Sequence, residues 1–452
     1  MLGLKTADTR ILERADGQLT RPNWTPRQPR PRPHLALKIA DHPDLGLYLA
    51  QHPPPPHAVI VVEGSGRRET SPVVVETEGL KLVFRDLAQG TPLVLVPKPP
   101  APDTPSSNAL AGPGPDPTDE TSAPKPPDAN ADPSTDTRST ALFTINGGSL
   151  ELVGGRFQLP DHQNQIPAWL LKVNAGSFVV RNCSLLGLGN SQPDNHGLIH
   201  WFGQQPHATG QIVGSYLIGS GTLLKAAFVD RRLLIDNSLL VSTNTALDLA
   251  LDSNNPPKRS TLDIRHSTIS AAKIAFLIRD GQPNPSAGSS DNNHVALELF
   301  IDQTVFAPPT KPDNGSAAQP VLLSCASRHL ASGHVRWFGT RNGFHPQLTR
   351  LLHDRTAGEP ADNSGSVADF DRLFPPPKRI RPLHGPNAVK TTTQTADLER
   401  VRPQHFQLTS DSKAHSWGPR GRPIGANLEP LDTRLGNVGP ARSGRPVTDP
   451  DF

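Results

Sequence analysis

Only two cysteines, Cys183 and Cys325, and a single methionine occur in 452 residues. Two thiols cannot build a dense disulfide framework, and no C-x-x-C, H-x-H or H-E-x-x-H spacing offers a metal site, so neither metal nor other cofactor is expected. Hydrophobic residues make up 35% and aromatics 5% of the chain, which predicts one packed domain with long irregular flanks rather than two or three full cores. No apolar run approaches the roughly 20 residues that cross a bilayer. The opening MLGLKTADTRILERADGQ mixes both charge signs without an apolar centre and does not read as a secretory signal. Charge of one sign is lacking too: 45 basic side chains face 42 acidic ones, net +3. The basic runs PRQPRPRPH (26–34) and PPPKRIRP (375–382) have no interleaved aromatics and read as solvated linkers, which argues against a nucleic-acid partner. Finally, no segment carries an amphipathic helix of three turns.

What the chain does have is proline (50), glycine (37) and a repeat. LELVGGRF (150–157), FVVRNCSL (178–185), GQIVGSYL (210–217), LLIDNSLL (233–240), LDIRHSTI (262–269), LELFIDQTVF (297–306) and a degenerate VRWFGTRN (335–342) share one pattern. Alternating apolar residues lead to a polar or glycine position, then a small residue. Aligned on their ends, one column reads Gly155, Cys183, Ser215, Ser238, Ser267, Thr304 and Thr340. A second reads Asn182, Gly214, Asn237, His266, Gln303 and Gly339. The steps between copies run 28, 32, 23, 29, 37 and 36 residues. Paired helices tolerate such variation badly, whereas a β-coil absorbs it in loops.

Each copy follows another short apolar run, among them ALFTI (141–145), LLKV (170–173), LIHWF (198–202), LLKAAF (223–228) and LDLAL (247–251). A coil therefore contributes at least two short strands of period two. Stacked parallel strands lie about 4.8 Å apart, so the two columns predict ladders at a sharp corner where large side chains would clash. Cys183 and Cys325 then sit several coils apart, beyond the roughly 4.4–6.8 Å a disulfide needs, and are expected to be buried free thiols.

The coil lengths and ladder columns over roughly 57–345 resemble the bacterial right-handed parallel β-helix proteins of the pectate-lyase-like superfamily. HFQLTSDSKAHSWGPRGRPIGANLEPL is similar to a closing motif of such proteins, with Phe406, Leu408, Ser412, Ala414, Gly418, Gly421, Ile424, Gly425 and Ala426 at its positions. The nearest resemblance is to β-helix regions appended to bacterial membrane-anchored Ser/Thr kinases. The kinase itself is absent: there is no V-A-I-K strand or H-R-D loop, and ADFDRL (368–373) is not D-F-G. The resemblance implies an all-β, right-handed parallel β-helix and an extracytoplasmic setting. It also directs attention to the N-T-D, D-D, G-H-G and R-I-K signatures of the hydrolase branch. None is present, since NTALD (244–248) breaks the first, DNHG (194–197) only mimics the third and RIRP (379–382) lies outside the coils.

The expected organisation is an irregular lead over 1–56, first coils over 57–96, a disordered Pro/Asp/Ser-rich insertion over 97–139 and the main β-helix over 140–345. An irregular strap carrying the closing motif follows over 346–430, then a disordered tail over 431–452. LTRLLHDR (348–355) reads as a helical turn or a last coil. Trp201 and Trp337 read as core, and Trp417 as a strap anchor.

One outward row carries chemistry. With Leu171, Ile199, Leu224 and Leu247 facing in, the next residues Lys172, His200, Lys225 and Asp248 face solvent on consecutive coils. Two lysines beside a histidine lower its pKa, and the row can grip carboxylated sugars. Equally, it can serve as a soluble outer face, with Lys225 and Asp248 as an ion pair of small energetic value. The function expected is a non-catalytic recognition or structural module for carbohydrate or another cell-envelope component. Its alternatives are a divergent polysaccharide lyase or hydrolase using that row, and a fragment of a kinase-linked receptor. Oligomeric state is not legible.

Overall fold

The computed structural model describes residues 34–87, 90–98, 141–159, 168–187, 196–203, 205–251, 258–280, 296–307, 319–326, 329–330, 333–354, 364–365, 367–374, 382–392, 398 and 401–428. The insertion expected over 97–139 lies outside them from residue 99 onward, as does the tail 431–452.

Strands dominate, and they stack in three parallel ladders visited in turn. The first face runs from His34–Lys38, Val59–Gly64 and Leu80–Asp86 through the second halves of Ala141–Val153 and Trp169–Arg181. It continues in Thr209–Val213, Arg232–Asp236, Ser260–Arg265, Leu297–Asp302 and Val335–Thr340. The second face is a ladder of short strands that includes Arg156–Leu159, Ser184–Gly187, Tyr216–Gly219, Leu239–Ser242, Thr268–Ala271 and Val305–Phe306. The third face takes Val73–Val75, the first halves of the two long strands, Gly197–Trp201, Thr222–Ala227, Thr245–Leu251, Ile274–Asp280, Val321–Cys325 and Arg350–Asp354. The molecule is thus an all-β parallel solenoid with three strands to a coil, one more than the two apolar runs per coil required.

Period-two alternation puts one row of aliphatic side chains in line down the interior of the first face: Ile60, Leu82, Leu152, Val180, Ile212, Ile235, Ile264 and Ile301, all buried. Each such side chain contributes roughly 1.5–3 kcal/mol on leaving water.

Every repeat copy spans the corner between the first and second faces. Asn182, Gly214, Asn237, His266 and Gln303 all adopt positive φ, from 45° to 56°, the left-handed conformation that reverses the chain sharply. The small residue after each completes the corner with an internal hydrogen-bonded ladder. The N–H of Cys183 donates to Ser215 Oγ, that of Ser215 to Ser238 Oγ and that of Ser238 to Ser267 Oγ, each at 3.2 Å. The hydroxyls of Ser215, Ser238 and Ser267 in turn donate to the carbonyl two residues back, at 2.9, 2.8 and 2.7 Å. A larger apolar residue would leave a buried amide without an acceptor.

The last copy is shifted from its expected register. Asp302 pairs with Thr340, so Arg341 (φ 54°) takes the left-handed column and Asn342 the small one, its Oδ1 accepting from the Thr304 N–H at 3.0 Å. Gly339 and Thr340 sit two residues early because the copy runs on to Phe344, which pairs with Phe306, rather than ending on Asn342.

The flanks hold more structure than expected. The lead contains the strand His34–Lys38 and a helix, α1 (Leu45–Gln51), capped by Asp44 and burying Leu45 and Leu49 over the first coils. LTRLLHDR contributes a strand, Arg350–Asp354, so the third face extends past residue 345. A second helix, α2 (Val367–Leu373), carries Phe370 against Trp337, with Phe374 following; they cover the aromatic end of the core. Both cysteines are buried and neither is in a disulfide, and burial pushes the Cys183 thiol up to about 12.

Beyond the last coil the strap packs on the outer side of the second face. Phe406, Ala414 and Ile424 join Leu186, Tyr216, Ile218, Leu239, Val241 and Val305 in one apolar cluster. Its final stretch climbs the corner: Gly425 N–H donates to Gln303 O, Ala426 N–H to Thr268 Oγ1 and Asn427 N–H to Asn237 Oδ1. Trp417 is not an anchor, being 37% exposed; the small Ala414 and slender Ile424 fit between the strands and strap instead.

Candidate functional site

The outward row of the third face exists in register. Lys172 pairs with His200, His200 with Lys225 and Lys225 with Asp248. Leu171, Ile199, Leu224 and Leu247 precede them and are all buried in the core cluster. The strand geometry thus places the four side chains on one surface, a coil apart at each step.

Their surroundings differ along the row. His200 lies between two rings, Trp169 at 4.7 Å and Phe202 at 4.6 Å between centroids. Trp169 belongs to the preceding coil, and its ring passes over Gly197. A Cβ there would come within 2.6 Å of the indole and 1.9 Å of the Thr222 carbonyl, so only glycine leaves the space. Lys172 extends its ammonium over Phe202, 5.3 Å from the ring centre, a cation–π contact. Burial first, then the charges of Lys225 and Lys172, push the His200 pKa from 6.5 down to about 4. The imidazole is therefore neutral near pH 7, and among the described residues its Nδ1 has no hydrogen-bond partner.

Asp248 departs from the expected solvent-facing role. It is 4% exposed, and its carboxylate is held by Arg279 through Nε at 2.7 Å and through a terminal nitrogen. Arg279 stands one coil further on and two residues along its strand, so a bidentate fork reaches back over Leu277, the in-register neighbour of Asp248. A carboxylate so committed is part of the scaffold. The candidate site narrows to Lys172, His200 and Lys225, with Trp169 and Phe202 beside them.

Sequence reasoning missed Trp169, Phe202 and Arg279. A signal existed for the first two: a tryptophan aligned with a glycine on the next coil, and an aromatic two residues past the histidine. Among the described residues no group of three or more His, Cys, Asp or Glu is placed to hold a metal ion, and no helix is long and apolar enough to cross a membrane.

Comparison with protein families, curated proteins and solved structures finds no match to this chain. The class is therefore the one its own geometry defines, an all-β parallel solenoid with a basic, aromatic-walled row on one face.

Proposed function

We propose that the chain is a non-catalytic recognition and structural module whose third face binds an acidic carbohydrate or another anionic envelope component. The observation that carries this reading is the in-register run Lys172, His200, Lys225. It sets two ammonium groups two coils apart, about 9.6 Å at the usual strand spacing, with an uncharged ring between them. An anionic polymer lying along the solenoid would meet one lysine, an apolar step and the second lysine. The stack on Phe202 restrains Lys172 before binding and lowers the entropy lost on contact.

Catalysis is less well supported. An imidazole with a pKa of about 4 is a weak base at neutral pH,, and the only carboxylate of the row is held by Arg279. Right-handed winding and kinship with the pectate-lyase-like proteins belong to the same proposal. Parallel strands joined by crossovers wind right-handed in about 98% of cases, and the tail segment with the closing pattern lies along the corner.

The test is binding of oligouronates and of neutral glucans of equal length by calorimetry, with product analysis alongside. Uronate binding that weakens at higher salt and in Lys172→Ala or Lys225→Ala, without turnover, is the expected result. Equal binding of neutral sugars, or no binding at all, would overturn the site; unsaturated uronates released by the wild type and lost in Lys225→Ala would replace it with a lyase.

A further inference from the structure

We infer that Arg231 is a positioning residue for this site, an internal cation that holds the bend Trp201–Gly203 so that Phe202 stays against His200 and Lys172. The inference rests on the recognition site proposed above and names what shapes it.

Arg231 is 1% exposed and sits at the corner between the third and first faces, one coil beyond His200. Its guanidinium donates to three successive main-chain carbonyls, those of Trp201 at 2.9 Å, Phe202 at 2.5 Å and Gly203. The same group lies 4.6 Å from the Trp201 ring. Burial lowers its pKa to about 10, so it stays charged at neutral pH. No carboxylate pairs with it among the described residues. A buried charge of this kind is costly unless its hydrogen bonds are met. Here the partners are carbonyls at the bend where the strand Gly197–Trp201 ends, and only the guanidinium Nε lacks a partner among the described residues.

The bend is closed from the other side as well. Phe202 still donates its N–H to Val173 O at 3.0 Å, and Gly203 has φ +57° with its Cα hard against the Asn174 carbonyl. Arg231 is itself fixed, its N–H donating to Ser260 Oγ at 3.2 Å and its carbonyl accepting from Thr261 at 2.8 Å. Between the two walls the main chain of Phe202 has one path, and that path directs its ring onto His200. An apolar residue at 231 would fill space but leave three carbonyls facing the core, and the bend would turn toward water.

The experiment compares wild type, Arg231→Ala and Arg231→Lys, each with and without dilute guanidinium ion and with urea as control. Two signals are read: the NMR titration of the His200 ring and affinity for an oligouronate. In Arg231→Ala the His200 midpoint should rise toward that of an ordinary histidine, and affinity should fall roughly threefold to tenfold as the Lys172 stack is lost. Guanidinium should restore both and urea neither, while Arg231→Lys should fall between. A His200 midpoint unchanged in both folded variants, or a shift that guanidinium does not reverse, overturns the role of Arg231. Should Arg231→Ala fail to fold, Arg231→Lys carries the same decision. If wild type binds no uronate but the His200 midpoint still answers to Arg231, only the recognition reading fails; if wild type binds and Arg231→Ala binds equally well, only the positioning role fails.

Discussion

Arg279 reaches back across one coil to clasp Asp248 with two nitrogens, the Nε at 2.7 Å. The contact divides the outward row of the third face into a buried scaffold end and a more exposed end, because Asp248 is 4% exposed while Lys172, His200 and Lys225 are only partly buried.

That division predicts opposite phenotypes for neighbouring residues. Asp248→Asn leaves the guanidinium without its counter-charge in a half-buried place, and should lower stability by about 1–3 kcal/mol while leaving oligouronate affinity unchanged. Lys225→Ala should do the reverse, weakening affinity with little change in melting temperature. Loss of affinity in Asp248→Asn at unchanged stability would return Asp248 to the binding row.

The row itself was legible because parallel coils in register convert sequence position into spatial position. Once Leu171, Ile199, Leu224 and Leu247 are set inward, Lys172, His200 and Lys225 must stack. The same logic reads the corner ladder from Cys183 to Thr304. It fails at the last copy, where Arg341 and Asn342 rather than Gly339 and Thr340 turn the corner, since an alignment that ends on Asn342 stops two residues short of Phe344, the partner of Phe306. It also fails for partners that reach diagonally. Arg279, Trp169 and Arg231 act across coils from different positions along their strands, and unequal insertions between copies hide those offsets. The strap was legible as a run of small and glycine residues, but its anchors are Ala414 and Ile424, not the conspicuous Trp417.

Acid should weaken the fold through its buried histidines. Burial, with Lys225 and Lys172 adding to it, lowers the His200 pKa from 6.5 to about 4, and burial alone does the same for His345. Between those values the unfolded chain binds protons that the folded chain refuses, so stability falls as pH drops from about 6.5 to about 4 and levels off below. Urea titrations at several pH values should show this slope, and His200→Gln should flatten it. Lys225→Ala should raise the His200 midpoint by removing one like charge; an unmoved midpoint would assign the shift to burial alone.

The corner ladder makes a graded prediction. Ser238 Oγ accepts from the Ser215 N–H at 3.2 Å and donates to Asp236 O at 2.8 Å, at 0% exposure. Ser238→Ala strands the Ser215 amide and should cost about 1–3 kcal/mol. Ser238→Cys should cost less, because Cys183 already fills the equivalent place with its Sγ 3.3 Å from Arg181 O. Thermal unfolding of the pair decides it, and equal losses for Ala and Cys would mean that volume rather than hydrogen bonding sets the column.

The strap predicts a local rather than a global failure. Gly425 has φ +89°, and a Cβ on it would lie 2.9 Å from both Thr268 Oγ1 and Val305 Cγ2. Gly421 is also left-handed, φ +71°, but a Cβ there meets nothing within 4 Å. Gly421→Ala should therefore carry only the backbone cost, about 1–2 kcal/mol. Gly425→Ala adds a collision with the corner it climbs. The coil strands are paired to one another in parallel ladders, so they should hold while the segment from Ala414 to Asn427 lifts away. Lifting exposes Tyr216, Ile218, Leu239 and Val241 together, an apolar patch of the kind that binds hydrophobic dyes and promotes association. Hydrogen exchange should rise over the strap and the second face in Gly425→Ala but not in Gly421→Ala, with dye binding rising in parallel. Equal protection in the two variants would show that the strap is held by Phe406 and Ile424 alone and that its path along the corner contributes nothing.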